Sequence, residues 1–331
     1  TYIGFQKYLL HNIDRKRCVL ALILGSIPVI FSCFSQLVFN WFGPMETLYG
    51  LIVWYQRPID GITGITGLFN NPNYLAAWLN LIWPFSLAFI FFDNKNKIKL
   101  IFKNFLIFSI SLLIILTASR TGWLCLLITL IFIYGSSIKL WILTFFSGVS
   151  FFTIYYLSPL FALTIKNFLI KIIPTGLWIN FSDLGYENLD ISRLGIWKYA
   201  LKFIFEKPFF GHGSNSFTSL LLNETGIWKG HTHNLVLELL VNYGLLASLL
   251  ILLPIIYLTY KAYLKLFFMK LNLNKFNIID RAWLISLTLL IIMNLVDIQY
   301  LDGRISIAGW VLLAGIRNIV FDNEKIKDKN I

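Results

Sequence analysis

Long apolar runs restrict the fold of this 331-residue chain more than any other feature. A helix needs roughly 20 predominantly apolar residues to cross the hydrocarbon core of a bilayer, and runs of about this length recur along the sequence. They lie at residues 18–41, 74–92, 100–118, 121–135, 138–160, 234–258, 280–300 and 305–320. Because helices satisfy their own backbone groups in lipid, the pattern predicts an all-α, polytopic transmembrane helical bundle with about eight spans.

Basic residues between the apolar runs indicate the orientation of this bundle. If the N-terminus is cytoplasmic, Lys and Arg concentrate in the inner loops, and the shorter outer loops keep only Arg57, Arg120 and Arg304. Such a bias sets membrane topology, so we predict that both chain ends are cytoplasmic. The net charge of +12 then reflects topology and contact with membrane lipids, and no nucleic acid partner is expected.

The predicted topology divides the chain into four parts, and the second is a large helical loop on the outer side. The parts are helices one to five at residues 1–160 with an outer loop at 42–73, the large loop at 161–233, helices six to eight at 234–320, and a charged cytoplasmic tail at 321–331. The chain begins at Thr1 without an initiator Met, so we expect N-terminal sequence to be missing and the number of spans to be a minimum.

One segment of the large loop, ISRLGIWKYALKFIFEKP at residues 191–208, has helical periodicity. Ser192 can cap its start and Pro208 closes it, so we predict a helix that lies along the membrane surface with its aromatic side down. The following GHGSNSF contains Gly211 and Gly213. It is predicted to be a flexible turn that lets the backbone approach a ligand.

Two arginines lie at the predicted outer boundary of the membrane. In a structural interpretation, Arg120 is a turn residue that reaches the lipid headgroups. In a functional interpretation, it binds a phosphate through two hydrogen bonds. Arg193 allows the same two interpretations. Trp197 follows Arg193 by one helical turn, so the pair is suited to hold a pyrophosphate beside a stacking surface.

His231 and His233 immediately precede the sixth predicted span. An imidazole can take a proton from an attacking hydroxyl near neutral pH, and Asn234 and Glu238 could orient it. Capping of a neighbouring helix is a structural alternative. A metal site is a third, but we see no Asp, Glu or Cys at ligand spacing and predict no metal.

The remaining polar and sulfur-containing residues are expected in other roles. Asp297 is predicted to face a cavity of the bundle or to pair with Arg304. Cys18, Cys33 and Cys125 lie within apolar runs and should pack as small hydrophobic residues.

Four motifs occur in the order TGLFNNPNYLA, SRTGW, RLGIW with GHGSNSF, and HTHNLVLELLVNYGLL. Together they resemble the O-antigen ligase and O-antigen polymerase superfamily of bacterial envelope glycosyltransferases, over residues 60–260 or so. The ligase signature, a His and a small polar residue followed by nine residues and a Gly, is met by His233, Asn234 and Gly244. Its final position falls on Ala247, which is a mild departure.

The resemblance implies an enzyme of the bacterial inner membrane that acts on the periplasmic face. Such an enzyme moves an oligosaccharide or polysaccharide from undecaprenyl diphosphate to an acceptor hydroxyl, with inversion and without a metal or another cofactor. By motif position, His233 would be the base that activates the acceptor, and Arg120 and Arg193 would bind the donor diphosphate. Supporting roles would fall to Asn234, Glu238, Trp197 and His231.

The residues leave several alternatives open. The acceptor of a ligase would be a glycan or a lipid. The acceptor of a polymerase would be a second lipid-linked repeat, and that of a protein O-glycosyltransferase would be a protein. A transporter of polysaccharide or lipid-linked sugar is a rival from another class, although the spans are nearly free of ionisable groups at their centres. The spacing to Gly244 selects His233 as the base, whereas the chemistry alone also allows His231.

Overall fold

The computed structural model describes residues 1–54, 56–59, 64–90, 97–134, 193–268 and 275–321. The predicted span 138–160, residues 161–192 of the predicted loop, and the tail from residue 322 lie outside the described residues. The chain forms two compact units, the first made of Thr1–Leu24 with Tyr186–Ile331 and the second of Gly25–Gly185.

The described part is helical apart from one short hairpin. The helices are α1 (Tyr2–Tyr8), α2 (Asn12–Gly25), α3 (Ile27–Phe39), α4 (Pro72–Ile90), α5 (Lys97–Leu116), α6 (Arg120–Tyr134), α7 (Arg193–Glu206), α8 (Ser216–Thr225), α9 (Leu235–Tyr263), α10 (Lys275–Val296) and α11 (Gly303–Phe321). The antiparallel hairpin pairs β1 (Met45–Thr47) with β2 (Ile52–Trp54).

Four helical stretches among the described residues are long and apolar enough to cross a membrane: Asn12–Phe39, Leu235–Phe267, Ile278–Val296 and Gly303–Phe321. Leu100–Leu116 is a shorter apolar helix. The predicted number of eight spans is therefore not confirmed. The predicted seventh span also ends earlier than residue 300, because α10 stops at Val296 and a 3-10 turn follows at Gln299–Leu301.

In the first unit, α11 packs against α1, α9 and α10. The fully buried Trp283 ring lies so close to Gly315 that a Cβ there would be 2.6 Å from it. A buried ion pair, Arg15 Nε to Asp280 Oδ1 at 3.2 Å, ties the start of α2 to α10. Buried charges of this kind need partners, and Arg15 also donates to the carbonyl of Leu9.

Helices α7 and α8 confirm that the predicted outer loop contains helical structure. Helix α7 covers the predicted segment, while the predicted cap, Ser192, lies outside the described residues. The two helices share a small core with the first half of α9. This core consists of Ile196, Ala200, Phe203, Phe217, Leu221 and Val241.

Helix α9 is broken at Gly244, whose φ is +70° and ψ is −176°. The turn before α8 supplies partners for the backbone groups that the break releases, as buried peptide groups require. The bonds run from His212 N to Val241 O (2.8 Å), Gly213 N to Asn242 O (2.9 Å), Leu245 N to Pro208 O (2.8 Å) and Leu246 N to Phe209 O (3.5 Å).

Glycine is required where these two segments meet. A Cβ at Gly244 would collide with the Phe209 carbonyl, and a Cβ at Gly211 would lie 2.6 Å from the Asn242 backbone. Both glycines also have positive φ, which other residues adopt at a cost. The structure thus gives the predicted flexible turn a different role, because Gly211 serves close packing against α9.

In the second unit, α4 packs against α5 and α6. The segment before α4 is fixed by Gln36 of α3, whose Oε1 accepts from the N–H of Thr66 and Gly67 at 3.1 and 3.0 Å. Helix α6 begins at Arg120, two positions after Ala118, which has a left-handed φ of +56°.

Candidate active site

The loop between α8 and α9 carries both histidines and ends in a strong helix cap. Asn234 is the N-cap residue of α9, and its Oδ1 accepts from Val236 N at 2.9 Å and Leu237 N at 3.1 Å. Its Nδ2 donates to Leu295 O at the end of α10. Because the cap joins two helices, it fixes the backbone directly after His233.

His233 is paired with Asp297, which directly follows α10. The distance between His233 Nδ1 and Asp297 Oδ1 is 2.9 Å. A carboxylate only accepts hydrogen bonds, so Nδ1 carries the proton and the lone pair of a neutral ring is on Nε2. With 28% of its side chain exposed, His233 keeps access for a reacting group while its orientation is set by Asp297.

His231 lies against His233, with ring centroids 4.3 Å apart. Its Nδ1 accepts the backbone N–H of His233 at 3.1 Å. His233 has a left-handed φ of +55°, so this bond supports a backbone conformation that costs a non-glycine residue roughly 1–2 kcal/mol.

In these surroundings His231 is neutral and Asp297 is ionised. Burial, with the charges of His233 and Arg193, lowers the pKa of His231 to about 4, although the charge of Asp297 opposes the shift. Burial raises the pKa of Asp297, but the hydrogen bond and charge of His233, the charge of His231 and the Ile298 N–H outweigh it. The net pKa of Asp297 is lowered, so its carboxylate is available to stabilise an imidazolium.

The same three side chains could hold a metal ion, since their ligand atoms lie within 4.8 Å of one another. No Asp, Glu or Cys lies at ligand spacing in the sequence, but Asp297 reaches the histidines from 64 positions away. A metal would need a lone pair on His231 Nε2, the nitrogen 3.8 Å from Asp297 Oδ1. The hydrogen bond to His231 Nδ1 places the ring proton on Nε2, and this tautomer favours proton transfer over metal binding.

Glu238 holds the residue between the histidines rather than a histidine ring. Its buried carboxylate accepts from Thr232 N at 2.9 Å and from Asn242 Nδ2 at 3.0 Å. Trp197 of α7 donates its indole N–H to Thr232 O at 3.0 Å. Glu238 and Trp197 thus contact the loop backbone between the histidines, and the prediction that Glu238 helps to orient the base stays a prediction.

The two predicted phosphate ligands lie in different units. Arg193 is the half-buried first residue of α7, and its charge contributes to the lowered pKa of His231. It therefore belongs to the same electrostatic environment as the histidines. Arg120 is the exposed first residue of α6 in the second unit, at a helix N-terminus, where backbone N–H groups favour anions.

Sequence reasoning missed the role of Asp297 in this site. It was expected to face a cavity or to pair with Arg304, whereas it accepts from His233, and Arg304 donates to Asp302 at 2.6 Å. His212, in the turn after α7, is half-buried with Nε2 2.8 Å from the Phe203 carbonyl.

Comparison with known proteins shows which family the chain resembles. A family model described as O-antigen ligase matches residues 105–252. Over these residues the chain is similar to the O-antigen ligase superfamily. The predicted resemblance is thereby confirmed, and the matched residues include both arginines and both histidines but not Asp297.

Two relatives from Acinetobacter baylyi agree with this assignment. The ComP-specific O-oligosaccharyltransferase is 30% identical over 199 residues, which are 56% of this chain and 33% of the relative. The general O-oligosaccharyltransferase is 28% identical over 199 residues, which are 55% of this chain and 33% of the relative. The chain thus spans about a third of the length of these relatives. The similarity to this superfamily and the apolar helices indicate a multi-pass membrane protein.

Proposed function

We propose that this chain carries the catalytic site of a membrane glycosyltransferase of the O-antigen ligase type. The enzyme transfers an oligosaccharide or polysaccharide from undecaprenyl diphosphate to an acceptor hydroxyl, on the periplasmic face of the bacterial inner membrane. The observation that carries the proposal is the hydrogen bond of 2.9 Å between His233 and Asp297, beside the charge of Arg193.

His233 acts as the general base in the proposed reaction. Its Nε2 takes the proton of the acceptor hydroxyl while the hydroxyl oxygen attacks the anomeric carbon of the donor sugar. Asp297 keeps the ring in the required tautomer and stabilises the imidazolium that forms. One new C–O bond replaces the bond to the diphosphate, so a single attack inverts the anomeric centre.

The arginines act on the leaving group. Undecaprenyl diphosphate departs with increased negative charge, and a guanidinium forms paired hydrogen bonds to phosphate oxygens. Arg193 is assigned this role because its charge already acts on His231. The assignment of Arg120 is supported by the SRTGW motif and by its place at the start of α6.

His231, Asn234, Glu238 and Trp197 are proposed to position His233. His231, Glu238 and Trp197 hydrogen-bond to the backbone of residues 232 and 233, and Asn234 caps α9 directly after them. His231 is unsuited to serve as the base, because its Nδ1 already accepts a hydrogen bond and its Nε2 carries the proton.

The names of the two relatives indicate the chemical class of the acceptor. Both are named O-oligosaccharyltransferases, which supports a hydroxyl acceptor for the present chain. We favour a ligase-type reaction on a glycan, lipid or protein acceptor. Polymerisation with a second lipid-linked repeat is the alternative within the superfamily.

The test is glycan transfer by the purified full-length protein in detergent, with undecaprenyl diphosphate-linked glycan as the donor and EDTA present. A lipid A core, a serine-containing protein and a second lipid-linked repeat serve as separate acceptors. We expect product with the wild type, its loss with His233→Ala, and a smaller loss with His231→Ala. Retention of full activity by His233→Ala would remove His233 as the base, and failure with every acceptor would favour a transporter.

A further inference from the structure

Helix α7 has an apolar surface on the side that does not face its core. Ile196, Ala200 and Phe203 are buried against α8 and α9. Leu194 and Phe205 lie elsewhere on the helix and are 70% and 79% exposed. Leu201, also exposed, lies between them at helical spacing, so the three side chains form an apolar stripe along the helix.

The stripe continues into the turn after α7. Phe209 and Phe210 are exposed there, Phe210 at 81%. Their position is defined by α9, because Leu246 N donates to Phe209 O and Leu245 N to Pro208 O just beyond the helix break. The turn is therefore held by hydrogen bonds to the candidate span Leu235–Phe267.

The adjoining half of α9 is itself exposed and apolar. Leu246, Leu250, Leu253 and Ile256 are exposed along it, and they lie in a stretch long and apolar enough to cross a membrane. A surface of this kind faces acyl chains in a bilayer. Because the turn that carries Phe209 and Phe210 is hydrogen-bonded to α9 just beyond the helix break, the apolar surface of the span extends onto the stripe of α7.

Basic residues accompany the stripe. Lys198 and Lys207 are exposed along α7 and just after it, and the exposed Lys202 pairs with Glu224 of α8. Long cationic side chains at a membrane boundary place their stems on apolar groups and their ammonium groups among headgroups. An exposed apolar face with lysines beside it is the composition of a helix that lies in the interface of an anionic bilayer.

We propose that Leu194, Leu201, Phe205, Phe209 and Phe210 form a membrane-insertion surface that enters one leaflet of an anionic phospholipid bilayer. Continuity with α9 selects lipid rather than a second protein as the partner. Membrane insertion of α7 also affects the position of the histidines, because Trp197 of α7 donates a hydrogen bond to Thr232, which lies between them. Anchoring α7 in the leaflet therefore fixes the height of His231 and His233 at the membrane boundary, whichever reaction they perform.

The test uses spin labels on the full-length protein in nanodiscs of phosphatidylethanolamine and phosphatidylglycerol. Labels are attached at Phe205→Cys and Phe210→Cys, with Asn223→Cys on an exposed position of α8 as the matched control. The native cysteines, Cys18, Cys33 and Cys125, are buried and should not react. Collision rates with oxygen, which concentrates in lipid, and with a water-soluble nickel chelate are then compared.

We expect the ratio of oxygen to nickel collisions to be several-fold higher at positions 205 and 210 than at position 223. Equal ratios would place the surface in water and overturn the proposal. Low collision rates with both reagents at 205 and 210 would show that protein covers the surface, which also overturns it. If either variant fails to fold, Leu194→Cys at the other end of the stripe gives the same comparison, and none of these measurements depends on glycan transfer.

Discussion

Replacement of Asp297 with Asn changes one charge in the proposed site while keeping nearly the same shape. The carboxylate lies 2.9 Å from His233 Nδ1 and stabilises the imidazolium that forms when His233 takes the acceptor proton. An amide at this position keeps one acceptor oxygen but has no negative charge. We therefore expect the rate of the chemical step to fall, with little change in the binding of the donor.

The size of the effect follows from the geometry. Two unit charges about 4 Å apart interact by about 4 kcal/mol at an effective dielectric constant of about 20. The His233 side chain is 28% exposed, so solvent weakens this interaction. A loss of about 2–3 kcal/mol remains, which corresponds to a decrease in kcat of about 30- to 150-fold.

The assay measures kcat and KM for transfer from the undecaprenyl diphosphate donor. Asp302→Asn is the matched control, because Asp302 lies five positions further along the chain and pairs with Arg304 rather than a histidine. Melting temperatures of both variants exclude a folding defect. An Asp297→Asn variant that folds and keeps kcat within about threefold of the wild type would refute the role of the carboxylate.

Three further predictions concern the surroundings of the histidine pair. Gly244→Ala should lower the free energy of unfolding by about 3 kcal/mol or more, because Gly244 has a positive φ and the new Cβ would collide with the Phe209 carbonyl. Gly303→Ala is the control in chemical unfolding and should be nearly neutral, because there is open space around Gly303. The pKa of His231 is lowered from 6.5 to about 4, so below pH 6.5 the unfolded chain binds a proton that the folded chain does not. Stability should therefore fall by about 1.4 kcal/mol per pH unit as the pH drops through this window, and melting curves of His231→Gln should lack that fall; identical pH dependence would contradict the prediction. Arg193→Lys keeps the charge but loses paired hydrogen bonding, so transfer should drop about tenfold or more, and an unchanged kcat/KM would remove Arg193 from the diphosphate site.

Local patterns predicted a good part of the fold. The periodicity of residues 191–208 predicted a helix, and α7 occupies most of this segment. The resemblance to the O-antigen ligase superfamily was likewise predicted from short motifs and confirmed by the family match. The structure adds the physical reason for Gly244, since this residue has the backbone conformation that lets the turn at Phe209 bond to α9.

The partner of the base could not be predicted in the same way. Asp297 is 64 positions from His233 and outside the matched region, and only the packing of α10 beside α9 brings the two side chains together. Glu238 was the carboxylate nearest in sequence, yet its position one helical turn after the cap directs it to Thr232. The count of eight spans stays unconfirmed, because four stretches among the described residues are long and apolar enough to cross a membrane and the predicted span 138–160 lies outside those residues.

Chemical rescue of His233→Ala by added imidazole tests the central claim most directly. If His233 serves as the base, imidazole that enters the vacated space should restore glycan transfer, with a rate that rises with the concentration of neutral imidazole. The same reagent should not restore Arg193→Ala, which lacks a charge rather than a base. Activity of His233→Ala that equals the wild type without imidazole would contradict the claim, as would a folded, inactive variant that no concentration of imidazole restores.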